Sequence, residues 1–270
     1  SWGLLMQRMG IIGACQALNG FFVMGANPWT PGFVQSLLSP IVVPFTVAIA
    51  MCFGEQFTRM QRVGVIIMCL GGVWGPICLD ASSGNAGVAG AHEHVGGHDE
   101  SMFSRSNTLL WCIVYACGLL PVAYSSVYQE RVFGDSKVNV LFMIAWSSLF
   151  QFVVMFVLAA IVITSVPGLT WDYEIFRATK CLFNLLDDEP RCQHAWVWWT
   201  LSFLLMAAST FVQTLMIKYG GAVLTTLANM AITPLSAVAF VCPFVMGQYT
   251  EQLQPGTTFG LILVCAGMIF

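Results

Sequence analysis

Charged side chains fall along this chain in short bursts separated by long apolar stretches. Between Arg8 and Glu55 lie 46 residues without Asp, Glu, Lys or Arg, and further charge-free runs cover 63–79, 106–129, 138–171, 192–217, 219–250 and 252–270. A helix needs about 20 mostly apolar residues to cross about 30 Å of hydrocarbon. The first run holds enough for two such helices, divided where Asn27, Pro28, Pro31 and Gly32 favour a turn. The pattern therefore predicts eight spans, near 9–27, 31–54, 63–79, 106–133, 138–165, 195–218, 220–246 and 257–270. The runs are continuous rather than alternating, which favours helices over a strand barrel. The expected fold class is an all-α polytopic membrane protein.

Composition and charge placement sharpen this reading. Of 270 residues, 57% are hydrophobic and 9% charged, with a mean hydropathy of +0.78, whereas a soluble domain carries roughly 25% charged residues. Because spans alternate sides, the connecting segments sort into two sets. Segments 1–8, 55–62, 130–137 and 218–219 hold six basic residues against three acids; segments 28–30, 80–105, 166–194 and 247–256 hold four against ten. Lys and Arg gather in short cytoplasmic loops, so the first set is expected to face the cytosol and loops 80–105 and 166–194 a lumen. Eight of the ten cysteines lie in predicted spans, where a free thiol behaves as a small apolar group. Cys181 and Cys192 share the luminal loop. An oxidising compartment permits a disulfide between them, and two free thiols are the other reading.

Two pairs of spans can be laid over each other. Gly64, Ile66, Cys69 and Gly71 in the third span recur as Gly260, Ile262, Cys265 and Gly267 in the eighth. Gln35, Ser39 and Pro40 in the second correspond to Asn229, Thr233 and Pro234 in the seventh. A repeat with an odd number of helices produces copies of opposite orientation, as in many transporters. The later copy has five spans, 106–270, and the earlier has three, 1–79, joined by a flexible, luminal His/Gly-rich loop at 80–105. A five-plus-five, ten-helix molecule is the expectation, with two further spans before Ser1 and eight present here.

A proline within a span removes a backbone hydrogen bond and kinks or breaks the helix, and corresponding interrupted helices in two halves point to a transport site. Pro40 and Pro234 are thus expected to break the second and seventh spans. Gln35, Ser39, Asn229 and Thr233 beside them are candidate solute-binding residues. Gln16 and Asn19 in the first span, Ser125 and Ser126 in the fourth, and Ser209, Thr210 and Gln213 in the sixth could line the same space. The competing reading for each is a hydroxyl or amide bonding its own or a neighbouring helix.

No carboxylate or basic side chain falls in the middle of a span, so no fixed proton relay is visible. Glu130, at a span end, reads as a boundary charge paired with Arg131. All four histidines lie outside the spans, which gives intramembrane haem or chlorophyll no ligand. His92, Glu93, His94, His98 and Asp99 have metal-ligand chemistry, but their Gly/Ala/Ser-rich setting reads as a solvated loop, so neither a metal nor another cofactor is expected. No P-loop, GxSxG, HExxH or CxxC motif is present, and a formal charge of −3 offers nothing to nucleic acid. An enzyme is not expected.

Several strings together resemble the chloroquine-resistance-transporter-like family of the drug/metabolite transporter superfamily. Leu119, Pro121, Ser125, Ser126, Glu130, Val132 and Phe133 are similar to the family's sixth helix and its cytosolic end. Cys181-Leu-Phe, with Cys192 followed by Ala195 and Trp196, looks like its cysteine-bearing luminal loop. Phe33, Val34, Gln35 and Pro40 resemble its fourth helix, and the Pro234 span its ninth. The likeness covers nearly all 270 residues, from the family's third helix onward. It implies a ten-helix inverted-repeat carrier with a central cavity, exporting small solutes such as amino acids, peptides or thiols from a vacuole or plastid. It also implies a Cys181–Cys192 bridge. The expected function is a solute carrier using alternating access at a midplane site, with the bilayer and a small solute as its partners. The alternative is a carrier-derived structural subunit bound to other membrane subunits in a larger complex.

Overall fold

The computed structural model of the protein describes residues 2–30, 32–82, 108–165, 176, 179–183, 192, 194–242, 244 and 255–269. Its regular elements there are all helical. They are α1 (Trp2–Ala26), a 3-10 turn (Asn27–Trp29), α2 (Gly32–Leu38), a second 3-10 turn (Ser39–Ile41), α3 (Val42–Cys52), α4 (Arg59–Ser82), α5 (Thr108–Asp135), α6 (Val140–Ser165), α7 (Ala195–Gly220), α8 (Ala222–Met230), α9 (Ile232–Val241) and α10 (Pro255–Ile269). Five stretches are long and apolar enough to cross a membrane: Trp2–Ala26, Val34–Cys52, Leu110–Asp135, Val140–Val162 and Ala195–Gly220. They coincide with the first, second, fourth, fifth and sixth expected spans. Ala222–Ser236 and Thr258–Met268, in the seventh and eighth, form shorter apolar helices. The histidine-bearing segment 92–98 lies outside the described residues. Cys181 and Cys192 form a disulfide, with their Cα atoms 5.0 Å apart.

Prolines decide where two of the apolar stretches break. A proline ring collides with the carbonyl four residues earlier and lacks the N–H that would bond to it. Pro44 is the third residue of α3, so its conflict falls on Pro40, inside the 3-10 turn Ser39–Ile41. Pro234 is the third residue of α9, so its conflict falls on Met230, the last residue of α8. The interruption expected at Pro234 is thus displaced to Ala231, whose N–H is shared between Leu227 O at 3.3 Å and Ala228 O at 3.2 Å. Pro121 has a milder effect: it lies inside α5, which continues through it. Beside the carbonyl of Cys117 that Pro121 leaves unpaired, Asn19 Nδ2 donates across from α1 to Gly118 O at 2.8 Å.

The broken stretches cross. α2 packs against α9 and α3 against α8, so each half of one meets the opposite half of the other. The most extensive helix pairing among the described residues is α4 with α10. There, a Cβ on Gly71 would stand 2.8 Å from Gly260 O, and one on Gly267 would stand 2.8 Å from Gly64 O. Glycines allow the two backbones to touch, which matters in lipid, where association depends on close packing rather than on water exclusion. Met68 and Val264 fill the centre of this contact and are buried. α1 lies in a groove formed by α5 and α6, burying Met9, Ile12, Gly13 and Ala17. α7 differs sharply: every side chain from Trp196 to Val212 is exposed, and burial begins only toward its end, at Thr214 and Ile217.

Replacing Gly71 or Gly267 with Leu should lower the thermal unfolding midpoint of the purified protein, since forcing bulk into a closed contact costs about 1–3 kcal/mol. Gly3→Leu should leave the midpoint unchanged, because a Cβ there meets nothing within 4 Å.

Candidate functional site

The polar residues nearest the prolines lie on the two broken stretches that cross. Gln35, in α2, turns its amide back: Nε2 donates to Thr30 O at 2.7 Å and to Asn27 O at 3.1 Å. Both N–H groups are therefore engaged by the turn before α2, and the group Gln35 can still offer is its carbonyl oxygen. Ser39 Oγ donates to Ser36 O at 3.1 Å, within its own stretch. Asn229 is half-buried in the last turn of α8, and its carboxamide makes no hydrogen bond among the described residues. Thr233 is buried, with Oγ1 3.9 Å from Met230 Sδ, a weak acceptor. The pair equivalent by sequence, Gln35 and Asn229, is thus unequal: one is tied to backbone and the other is open.

The remaining candidates divide. Asn19 is committed to the α1–α5 contact, and Gln16 is half-buried one turn before it. Ser126 Oγ bonds to Val122 O at 3.0 Å. Ser125 is 1% exposed, and its hydroxyl has no partner among the described residues, an arrangement that favours a ligand or water arriving there. Ser209 and Thr210 lie on the exposed stretch of α7 and do not join the crossing; Gln213 Nε2 donates to Ser209 Oγ at 3.2 Å.

On the basic-loop side of the crossing, α3, α5 and α8 close together. Ala50, Val127 and Ala222 are buried against one another with Phe53, Phe57 and Val223 around them. Glu130 and Arg131, expected to pair with each other, do not. Adjacent helical residues point about 100° apart and cannot face each other. Glu130 instead accepts the Ala222 N–H at 2.8 Å and so caps the first turn of α8. An anionic cap there satisfies an orphan amide and meets the positive end of the helix dipole. Arg131 turns the other way, donating to Phe53 O and placing its guanidinium 4.2 Å from the Phe53 ring centroid. Gly221 permits this approach: its φ is +86°, and a Cβ would stand 2.7 Å from Glu130 Oε1.

A pocket of about 310 Å³ opens beside this closure, lined by Glu55, Phe57, Gln61, Glu130, Gly221 and Leu227 among others. Partial burial and the nearby Glu130 charge push the Glu55 carboxyl above its ordinary value, and Arg131 opposes them. Glu130 and its partner amide are 92 positions apart, which is why the sequence did not show the contact.

Comparison with known proteins adds to this geometry. The family model described as CRT-like, chloroquine-resistance transporter-like, matches residues 4–175 and 172–270. Crt homolog 3 of Dictyostelium discoideum is 24% identical over 289 residues, covering 96% of this chain and 56% of that protein. Crt homolog 1 of the same organism is 22% identical over 295 residues, covering 97% and 58%. The chloroquine resistance transporter of Toxoplasma gondii is 24% identical over 287 residues, covering 97% and 30%. The chain spans about half the length of the Dictyostelium relatives it matches.

The Glu55–Glu130 arrangement generates a signed pH dependence. Glu55 has its titration raised in the closed arrangement, so its contribution is fully present below the ordinary carboxylate value and is lost as pH rises through the raised one. The thermal midpoint should therefore decline slightly over that window. Glu130→Gln should flatten the decline by removing the repelling charge, and should lower the whole curve by weakening the α8 cap, worth about 0.5–2 kcal/mol. Midpoints of both proteins measured across the acid range check this; an unchanged slope in the variant contradicts it.

Proposed function

The chain belongs to the CRT-like, chloroquine-resistance transporter-like family, and from that premise we infer that it is a membrane carrier moving small organic solutes by alternating access. The observation that carries this reading is the crossing of the two proline-broken stretches, α2–α3 over α8–α9. In secondary transporters, discontinuous helices from two halves meet near the bilayer midplane and leave unwound backbone and polar side chains for the solute. On this reading the groups offered to the solute are the open carboxamide of Asn229, the carbonyl oxygen of Gln35, and the hydroxyls of Ser39 and Thr233. Ser125 and Gln16 on α5 and α1 are further candidates.

The reading extends to architecture. The α4–α10 contact supports an inverted repeat: Gly71 meets Gly260 while Gly267 meets Gly64, the reciprocal pairing expected when equivalent segments lie antiparallel about a two-fold axis. On that correspondence, α1 and α7 occupy equivalent places. α1 is packed by α5 and α6, whereas α7 carries its long exposed apolar stretch where an equivalent pair would lie. This supports eight spans of a ten-helix, five-plus-five carrier. Segments 1–79 then belong to the first repeat and 106–270 to the second, with the 80–105 and 166–194 loops on the luminal side of a vacuole or plastid. Amino acids, peptides or thiols, the class that the family resemblance implies, are the solutes we propose.

The α3–α5–α8 closure gives the cycle a physical step. Opening the basic-loop side requires α8 to leave α5, which breaks the Glu130–Ala222 cap and parts the packing of Val127 on Ala222.

Transport by the reconstituted full-length protein tests the site. Asn229→Leu should weaken apparent solute affinity about three- to tenfold, the equivalent of one hydrogen bond, with the maximal rate retained. Gln35→Leu should lower the rate as well, because it also releases the turn before α2. Unchanged transport in both variants overturns the site assignment.

A further inference from the structure

Beside the basic-loop closure, α5 carries an amide that nothing in the fold uses. Gln129 precedes Glu130 and is 5% exposed, and its carboxamide makes no hydrogen bond among the described residues. Its neighbours on the helix are all committed. Tyr128 and Val132 join the cluster built on Met9 and Ile12 of α1, whereas Val127 packs with Ala50 and Ala222, and Glu130 caps α8. Successive helical residues point about 100° apart, so Gln129 projects between the α1 side, marked by Tyr128, and the α8 side, marked by Glu130. Ser125 stands one turn earlier on the same face, with a buried hydroxyl that is equally without a partner.

A buried amide left unpaired costs the folded arrangement free energy, because the hydration it gave up is not replaced. Other buried polar side chains meet that cost locally. Thr46, Thr214, Thr225 and Thr226 turn their hydroxyls onto carbonyls of the preceding turn. Gln129 has two donors and an acceptor to satisfy and satisfies none of them. The helices described already cover it, and the closure of α3 and α8 on α5 lies immediately beside it.

We propose that Gln129 is a further solute-binding residue, offered only when the α3–α5–α8 closure opens, and that its unpaired carboxamide primes this opening. The role rests on the carrier reading given above. Closed, the amide is buried at a cost; open, it presents donors and an acceptor to the amide or carboxylate of a solute, with no bond to break first. A group that binds solute in one arrangement alone shifts the balance toward that arrangement. Gln129 thereby couples solute at the basic-loop face to opening on that face, whereas Asn229 serves both faces.

Two measurements on the full-length protein test this. Without solute, Gln129→Leu should raise the thermal midpoint, since it replaces an unpaired buried amide with an apolar group. In oriented proteoliposomes, the same change should weaken apparent affinity for dialanine about three- to tenfold from the basic-loop face, the equivalent of one hydrogen bond. From the opposite face the change should be less than about twofold, while Asn229→Leu weakens both. Gln129→Met, of similar length, should behave alike and serves if the leucine variant folds poorly. Gln7→Leu, at an exposed glutamine, should alter neither measurement. A lowered midpoint in both Gln129 variants, or equal effects at the two faces, overturns the proposal. Dialanine uptake untouched by either Gln129 variant but weakened by Asn229→Leu overturns the role of Gln129 alone. No uptake by the unaltered protein overturns the solute class and this role together.

Discussion

Hydrocarbon offers a polypeptide backbone no hydrogen-bond partner, so every N–H and C=O freed within a span must be met by the protein itself or by water in a cavity. Much of this molecule follows from that constraint. Prolines at 40, 44 and 234 remove donors in the middle of apolar stretches, and the chain answers with a 3-10 turn at Ser39–Ile41 and a shared donor at Ala231. Thr46, Ser126, Thr225 and Thr226 fold their hydroxyls back onto carbonyls of the preceding turn, at 2.7–3.0 Å. Asn19, Gln35 and Glu130 do the same work between elements, each satisfying backbone outside its own helix. Against that background the fully buried polar atoms without a partner among the described residues, Thr30 Oγ1, Trp111 Nε1 and Ser125 Oγ, stand out, and the half-buried carboxamide of Asn229 is open as well.

A second consequence concerns how the helices hold together. Inside a membrane the hydrophobic effect does not drive helix against helix, so association depends on close fit. The α4–α10 contact is built on glycines for this reason. The α1–α6 contact is similar, since a Cβ on Gly13 would stand 2.5 Å from Ser147 O. These rigid pairings frame the crossing of the broken stretches, where short helical pieces and turns leave room to move. Close contacts around a crossing of broken helices suit the alternating access we propose, with the polar closure at Glu130 and Arg131 as the contact that would part.

The sequence made some features legible and hid others. Five expected spans appear as helices in place, because a long apolar run without charge has one stable use in a bilayer. The cysteine pair was legible as a pair and is bonded. The repeated glycines announced a relation between two segments but not that those segments touch each other. Glu130 and Arg131 were read as a pair because they are neighbours in the chain, and the helix sends them to different partners for that same reason. Gln35 and Asn229 looked equivalent, yet the turn at Asn27–Trp29 brings carbonyls only to the first.

What the sequence determined by itself was therefore the class of molecule, the approximate placement of its membrane helices, the helix-breaking prolines and the residues rich enough in chemistry to matter. Each of these is a sum over local residues, and hydropathy or a missing N–H needs no partner to be felt. Only the tertiary structure decided which polar groups are occupied and which are open, and where the broken stretches cross. Those outcomes depend on elements about a hundred positions apart meeting at hydrogen-bond distance, as Asn19 meets Gly118 and Glu130 meets Ala222. Chain order carries no record of such meetings, because they are set by how helices pack rather than by what each helix is made of.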